Sequence, residues 1–278
     1  MRPILFEIPG LGWPLQSYGV AMGLALLVAW FASLDRARTD GLPTDTLGTL
    51  FVVAAFAGIV GGRALWLLQH PGAGGLGDLI SLPAGGLTVT GGILAALVVS
   101  ALGCWRRGID TFAWLDAVAP GFAIGLVIER IGAFLAGVEF GRYVAPGDLG
   151  YALHVTFPAG SPVHAFHQQL LKGLPTLSAE ASAPVHPVQL YAALMGLGIL
   201  AVAIAVRRRR RYPGQVALAV LAAFTIARLV IEDPLRFDAS PTLWGPLRVG
   251  HVSALGLLAV LAIVARLRRA AALAAEAR

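Results

Sequence analysis

Long apolar runs alternate with short polar connections along the 278 residues of the chain. Seven of these runs reach the length of about 17–25 residues that a helix needs to cross the hydrocarbon core of a bilayer. They lie at approximately 15–34, 46–69, 86–104, 112–137, 187–206, 214–232 and 250–266. The pattern therefore predicts an all-α polytopic membrane protein with seven transmembrane helices.

One connection is much longer than the others. Residues 138–186 separate the fourth and fifth runs and contain Gly, Pro, His and Ser around short apolar stretches such as YALHVTF. We expect this segment to form a small head outside the helix bundle, with one or two strands. The predicted organisation is residues 1–137 for helices 1–4, 138–186 for the head, 187–266 for helices 5–7, and 267–278 for a basic helical tail.

Basic residues are divided unequally between the two sets of connections. Residues 35–45, 105–111, 207–213 and 266–278 hold 13 of the 21 Lys and Arg residues, whereas the opposite connections hold five. Positively charged connections stay preferentially on the cytoplasmic side of a membrane. This bias predicts an external N-terminus, an external head and a cytoplasmic C-terminus.

The composition supports a membrane protein and removes several other classes. Only 13% of the residues are charged, about half the share of a soluble domain. The net charge is +6, and most of the basic residues lie between the apolar runs. This distribution favours basic residues that set the orientation in the membrane and contact anionic lipid, rather than residues that bind nucleic acid. Cys104 is the single cysteine, so an intrachain disulfide is excluded. His164 and His167 lack a clear third ligand, so we expect no metal and no cofactor.

Several ionisable residues fall inside the predicted helices. Arg63, Arg130, Arg228 and Glu232 all lie in or at the ends of these runs, where a charged side chain costs several kcal/mol. Arg228 and Glu232 are four residues apart, so they share one helix face and can pair. Arginine also suits a phosphate group, because its planar fork donates two parallel hydrogen bonds. The alternative is an interhelical ion pair or a side chain that extends to the interface.

Two short motifs lie at the predicted outer ends of helices. GGLTVTGG, residues 85–92, places glycine pairs where backbone amides can meet an anion; close helix–helix packing is the alternative explanation. HPVQLY, residues 186–191, opens the fifth helix, and its proline suits a first helical turn. An aromatic belt accounts for its tyrosine but not for the whole hexapeptide.

Taken in order, Tyr18, GGLTVTGG, the RIG…GR stretch of the fourth helix, HPVQLY and the R-x-x-x-E of the sixth helix resemble the phosphatidylglycerol–prolipoprotein diacylglyceryl transferases. The resemblance covers residues 15–266. It implies a bacterial inner-membrane enzyme of seven helices with a periplasmic head. It also implies transfer of the diacylglyceryl group of phosphatidylglycerol to the lipobox cysteine of a preprolipoprotein signal peptide, with release of glycerol phosphate. Membrane lipid would be the surrounding partner, and no nucleic acid is expected.

The resemblance and the charge pattern together give a set of expected site residues. Catalytic roles are expected for Tyr18, Arg130, His186, Arg228 and Glu232. Substrate contacts are expected from Arg63, Thr90, Gly91, Gly92, Gly141, Arg142, Gln189 and Tyr191. In the expected mechanism, Arg130 and Arg228 hold the lipid phosphate, and Glu232 orients Arg228.

The sequence departs from the family pattern at several polar positions. Thr90 stands where the family has a histidine, which is a candidate general base, and a threonine cannot take a proton near neutral pH. The other departures are Ala133 and Ala136 for asparagines, Val138 for a glutamate with Glu139 one position later, Ala192 for a glutamate that often follows the hexapeptide, and Phe224 for a tyrosine. His70 and His186 are possible substitutes for the histidine, and an unaided thiolate is another route.

Three functions are compatible with these observations. The first is an active diacylglyceryl transferase. The second is a family member that binds phosphatidylglycerol but uses another acceptor or performs no chemistry. The third is an unrelated transporter or channel whose charges line a pathway, against which stand the ordered motifs and the absence of a sequence repeat.

Overall fold

The computed structural model describes residues 3–7, 14–72, 74–80, 86–171, 173, 176–237, 242–245 and 247–276. Gly85 of GGLTVTGG and Arg278 of the predicted tail lie outside the described residues. The same holds for Arg2 and Lys172, two of the five basic residues counted in the opposite connections. The described part of the chain is predominantly helical, as the apolar runs predict.

Seven helices of the described chain are long and apolar enough to cross a membrane, which confirms the predicted fold class of a multi-pass helical membrane protein. They are Ser17–Thr39 (α1), Thr44–Gln69 (α2), Val89–Arg106 (α3), Thr111–Ala136 (α4), Val188–Arg208 (α6), Gln215–Leu235 (α7 with its continuation) and Val249–Glu276 (α9). The last helix runs on to Glu276, so the predicted tail after residue 266 is the continuation of a membrane helix in the described residues.

The sixth membrane helix changes its geometry near its end. Regular helix α7 covers Gln215–Ala227, a π-helical turn follows at Arg228–Glu232, and a short α8 covers Asp233–Leu235. Pro234 has no backbone N–H to donate, so a regular ladder cannot continue through it. The amide of Asp233 donates instead to the carbonyl of Arg228, five residues earlier. Single π-turns of this kind are frequent at functional sites.

The chain divides into two compact units, one of residues 1–29 and 119–278 and one of residues 30–118. In the unit of residues 30–118, α2 and α3 approach closely through glycines. A methyl group added to Gly92 would lie 3.1 Å from the carbonyl oxygen of Gly58, and one added to Gly61 would lie 2.8 Å from that of Gly91. Small residues allow this separation between membrane helices. Trp114 and Cys104 belong to a separate buried cluster in the same unit.

The unit of residues 1–29 and 119–278 contains the long connection predicted as a head. Its described part holds one short helix, Pro162–Leu170 (α5), a 3₁₀ turn at Tyr151–Leu153 and isolated bridges such as Tyr143–Val185 in place of the expected strands. Phe140, Phe157, Val163 and Val185 form its buried cluster. The segment has its own apolar core, and its position outside the membrane stays a prediction.

Two small antiparallel hairpins belong to the same unit. The first joins Ile4–Glu7 (β1) to Pro14–Gln16 (β2), directly before α1, and the second joins Thr242–Trp244 (β3) to Leu247–Arg248 (β4), directly before α9. Each hairpin therefore precedes a membrane helix.

Candidate functional site

Arg130 lies near the end of α4 and is surrounded by three carboxylates. Its side chain is only 4% exposed. Its Nε lies 3.3 Å from an oxygen of Glu129, one terminal nitrogen pairs with Glu139, and the other lies 3.5 Å from Glu232. Each nitrogen of this guanidinium group thus faces a different acidic side chain. Burying a charge of this kind is tolerated only when it is paired.

Two further arginines complete the cluster. Arg236 donates a 3.0 Å hydrogen bond to Glu139 from a position 97 residues later in the chain. Arg228 lies 4.0 Å from Glu232 on the π-turn, as the four-residue spacing predicts, and its side chain is 31% exposed. Arg228 is therefore the more accessible of the two arginines expected to hold phosphate. Three arginines and three glutamates make up this acid–arginine cluster.

Glu139 enters the cluster through an unusual backbone conformation. Its φ of 52° lies in the left-handed region, which a non-glycine residue occupies only at a cost. Burial raises the pKa of the Glu139 carboxyl, but Arg130 and Arg236 outweigh this effect and hold the pKa below its ordinary value. The ion pairs with Arg130 and Arg236 therefore form at a residue whose backbone conformation is unfavourable.

Backbone pairing brings Arg236 to the end of α4. Gly141 forms an antiparallel bridge with Arg236, and the amide of Arg142 donates a 2.7 Å hydrogen bond to the carbonyl of Leu235. The rings of Phe140 and Phe237 stack beside this bridge with centroids 4.1 Å apart. The glycine is required here because a side chain at 141 would collide with His186 and Val188.

Tyr18 joins the cluster from the first turn of α1. Its hydroxyl hydrogen-bonds to the carboxylate of Glu129, and its charge environment includes Glu139 and Arg130. The structure therefore brings together four of the five residues expected to be catalytic: Tyr18, Arg130, Arg228 and Glu232.

The hexapeptide HPVQLY fixes the end of α4 against the start of α6. Gln189 is fully buried and donates a 2.8 Å hydrogen bond to the carbonyl of Val138. The amide of His186 donates to the carbonyl of Arg142 at 3.2 Å. The ring of Tyr191 lies 6.5 Å from that of His186, centroid to centroid. The motif thus holds in place the turn that carries Glu139.

His186 also lines an open cleft of about 420 Å³ with Arg142, Tyr143, Asp148 and Leu149. Burial and then the nearby charge of Arg142 lower the pKa of the His186 imidazole, while Asp148 acts in the opposite direction. Its Nδ1 is buried and has no hydrogen-bond partner among the described residues. The cleft therefore places the exposed guanidinium of Arg142 beside a histidine with one unpartnered ring nitrogen.

The other expected residues belong to the unit of residues 30–118 and have structural contacts there. Arg63 is 2% exposed, donates hydrogen bonds to the carbonyls of Asp78 at 3.0 Å and Gly86 at 3.1 Å, and lies over the Trp66 ring. Thr90, Gly91 and Gly92 form the first turn of α3. Close packing against α2, the alternative given above for GGLTVTGG, accounts for Gly91 and Gly92.

Sequence reasoning did not assign roles to Glu129, Glu139 or Arg236. A signal existed for Glu129, because an acidic residue inside an apolar run is as costly as an arginine. Arg236 follows the predicted end of the sixth run, and no local pattern connects it to Glu139. Among the described residues, no group of three or more His, Cys, Asp or Glu side chains is arranged to hold a metal ion.

Comparison with known proteins gives one family. Residues 3–267 match the family described as prolipoprotein diacylglyceryl transferase. A phosphatidylglycerol–prolipoprotein diacylglyceryl transferase of Bacillus cereus is 26% identical over 265 residues, which cover 92% of this chain and 89% of that protein. One from Bacillus anthracis is 27% identical with the same coverage of both chains.

Proposed function

The chain belongs to the prolipoprotein diacylglyceryl transferase family, and from this premise we propose that it transfers the diacylglyceryl group of phosphatidylglycerol to the lipobox cysteine of a preprolipoprotein signal peptide. In this reaction the cysteine sulfur forms a bond to the terminal carbon of the diacylglyceryl group. The bond between that carbon and the phosphate oxygen breaks, and glycerol phosphate leaves with the electron pair. The products are a thioether-linked lipid and a soluble phosphate ester.

The observation that carries this proposal is the acid–arginine cluster around Arg130. The reaction needs cations at the phosphate as it departs, because negative charge develops there. Arg130, Arg228 and Arg236 meet within one cluster at the ends of apolar helices. A buried guanidinium binds a phosphate more strongly than one in water, since the effective dielectric constant is lower.

The contacts of the cluster suggest an order of events at the phosphate. Arg228 is the more exposed of the two arginines and has its nearest carboxylate oxygen at 4.0 Å, so the phosphate meets it first. Arg130 already faces three carboxylates, so a phosphate reaches it only by replacing one of them. Glu232 lies beside both arginines and, as proposed from the sequence, orients Arg228.

The cleft at His186 extends the proposed substrate site. Arg142 is exposed there and Gly141 lets the backbone approach closely, so we assign this cleft to the polar glycerol end of the lipid. Gln189 binds the carbonyl of Val138 and the Tyr191 ring lies 6.5 Å from that of His186, so we assign both a supporting role beside this cleft. Direct substrate contacts of Arg63, Thr90, Gly91 and Gly92 follow from the sequence alone and remain a separate proposal.

The proposed setting is the inner membrane of a bacterial cell, with the N-terminus in the periplasm and the C-terminus in the cytoplasm. This orientation rests on the basic residues of the connections. The family match argues against the transporter or channel. It leaves open a member that binds phosphatidylglycerol but uses another acceptor or performs no chemistry.

The test is a transfer assay with the full chain in detergent. We expect phosphatidylglycerol and a lipobox peptide together to give glycerol phosphate and a peptide that is heavier by one diacylglyceryl group. A peptide with serine in place of the cysteine and phosphatidylethanolamine in place of the lipid are the matched controls. Saturable binding of phosphatidylglycerol without either product would contradict the proposal in favour of the second function.

A further inference from the structure

Glu129 is the acidic residue of the cluster that the expected mechanism does not use. We infer that its carboxylate accepts the proton of the attacking cysteine thiol. The inference rests on the proposed function, because it assigns the proton acceptor of that same reaction.

Glu129 lies beside Arg130 and is largely shielded from water. It directly precedes Arg130 in α4, and its side chain is 12% exposed. One carboxylate oxygen lies 3.3 Å from Nε of Arg130, and the Tyr18 hydroxyl hydrogen-bonds to the same carboxylate. These two contacts fix the carboxylate next to the guanidinium proposed to hold the phosphate.

The three glutamates differ in how many cations compensate them. Glu139 pairs with Arg130 and Arg236, and Glu232 lies near Arg130 and Arg228. Among the guanidinium groups of the described residues, Glu129 faces Arg130 alone, and it also experiences the negative charges of Glu139 and Glu232. A carboxylate with few cations and two like charges nearby takes up a proton most readily.

Not every polar atom of the acid–arginine cluster is satisfied within it. Nε of Arg130 and one carboxylate oxygen of Glu232 are buried and have no partner with hydrogen-bond geometry among the described residues. Unmet buried polar atoms are rare in folded proteins. Nε is the nitrogen of Arg130 that faces Glu129, so it is the donor that a ligand replacing this carboxylate would meet.

Binding of the lipid strengthens the assignment. A phosphate that enters the cluster draws on the positive charge of Arg130, so the ionised carboxylate of Glu129 becomes a stronger proton acceptor. The substrate therefore prepares Glu129 to accept a proton. Glu139 and Glu232 each keep a second cation, Arg236 and Arg228 respectively.

The proton transfer balances within the proposed reaction. The thiol S–H bond breaks and its proton moves to an oxygen of Glu129 while sulfur attacks the glyceryl carbon. The electrons of the cleaved C–O bond remain on the phosphate oxygen. Glu129 then passes the proton to the departing phosphate ester and returns to its ionised form, so no further reactant is needed.

The experiment compares Glu129→Gln and Glu129→Asp with the wild type in the detergent assay. Glutamine keeps the size of the side chain and removes the proton acceptor, so the turnover number at pH 7 should fall by roughly 10²- to 10⁴-fold, the contribution of general base catalysis. Aspartate should retain part of the activity and the same dependence on pH. Glu180→Gln, at an exposed position of the long connection, is the matched control and should behave as the wild type.

Two readouts separate a proton acceptor from a structural carboxylate. Raising the pH, or replacing the acceptor cysteine by selenocysteine, supplies an anionic nucleophile without help from the enzyme. Either change should recover most of the activity lost in Glu129→Gln while the affinity for phosphatidylglycerol stays unchanged. A loss that is equal for thiol and selenol at every pH would overturn the inference, as would full activity of Glu129→Gln toward the thiol.

The activity of the wild-type protein shows whether a negative result concerns the role of Glu129 or the proposed transferase function itself. If it forms neither product, the proposed function fails, and the role of Glu129 fails with it. If the wild type is active and Glu129→Gln matches it, only the inference fails. Thermal unfolding of each variant in detergent identifies a loss of activity that comes from misfolding, and Glu129→Asp then carries the comparison through its pH profile.

Discussion

Arg130 and Arg63 are both almost completely buried in membrane-spanning helices, yet different groups satisfy them. Arg130 is 4% exposed, and its nitrogens face the carboxylates of three glutamates. Arg63 is 2% exposed, donates to the backbone carbonyls of Asp78 and Gly86, and lies over an indole ring. The same side chain, at the same burial, therefore lies in two chemically different environments.

The two environments differ in whether the groups around the arginine can bind protons or change partners. Backbone carbonyls are fixed by the chain and do not take up protons, so the contacts of Arg63 hold Asp78 and Gly86 in place beside α2. Carboxylates change partners and bind protons, so the contacts of Arg130 can rearrange when an anion arrives. A buried arginine indicates chemistry when its partners are titratable, and structure when they are not.

Replacing Arg130 with lysine should give the largest effect. Lysine keeps the charge but cannot direct three separate donors in one plane. We expect glycerol phosphate release to fall by roughly 10²- to 10³-fold, the cost of losing an electrostatic donor in an active site. The assay with phosphatidylglycerol and a lipobox peptide measures this, and a variant with full turnover would remove Arg130 from the mechanism.

Arg228→Lys should have the next largest effect on transfer. This side chain is 31% exposed and has one carboxylate oxygen at 4.0 Å, so it contributes fewer contacts than Arg130. The rate should fall roughly 10- to 100-fold, as expected for one charged hydrogen bond, and the unfolding temperature should hardly change. A drop in stability without a drop in rate would place Arg228 in the structural class with Arg63.

Arg63→Gln should reverse the pattern seen at Arg130. The glutamine cannot supply both hydrogen bonds to Asp78 and Gly86, so about 1–3 kcal/mol of stability is lost. Turnover per folded molecule should change less than in Arg130→Lys. Thermal unfolding in detergent together with the transfer assay checks both quantities. A loss of turnover as large as that of Arg130→Lys, in a protein that remains stable, would instead support the substrate contact expected from the sequence.

Gly92→Ala should give the smallest effect of the four. Its methyl group would lie 3.1 Å from the carbonyl oxygen of Gly58, so α2 and α3 must separate by a few tenths of an ångström, at about 1 kcal/mol. Gly198→Ala in α6 is the matched control, because nothing lies within 4 Å of its added methyl group. The control should keep or slightly raise the unfolding temperature. Equal behaviour of the two variants would show that the glycine contact does not hold these helices.

The sequence was sufficient for the helices and for the arginines. A helix must be about 20 apolar residues long to cross a bilayer, so hydropathy alone places all seven. A charge inside such a run is costly, so Arg63, Arg130 and Arg228 are conspicuous. Hydropathy cannot say whether their partners are carboxylates, carbonyls or a ligand, and for this reason Arg63 was expected to contact the substrate as well as Arg130.

The rest of the cluster depends on contacts between distant segments. Glu139 and Arg236 meet because Gly141 bridges to Arg236 across the turn that follows α4, and no periodicity encodes that pairing. Glu129 was missed for a different reason. Adjacent residues on a helix point about 100° apart, so a direct neighbour of Arg130 is not an expected partner, yet the long arginine side chain reaches it.

The π-turn at Arg228–Glu232 has a consequence for insertions and deletions in the gene. Such a turn is equivalent to a regular helix with one surplus residue. A single-codon deletion within the turn removes the surplus residue, so the helix closes in the regular form and the residues after it keep nearly their present orientation. The same deletion in the regular part of α7 has no surplus residue to absorb it, and everything after it would rotate by about 100°. Arg236 would then leave Glu139 even though every side chain of the cluster were still encoded. Selection on this helix therefore acts on its number of residues as well as on their identity.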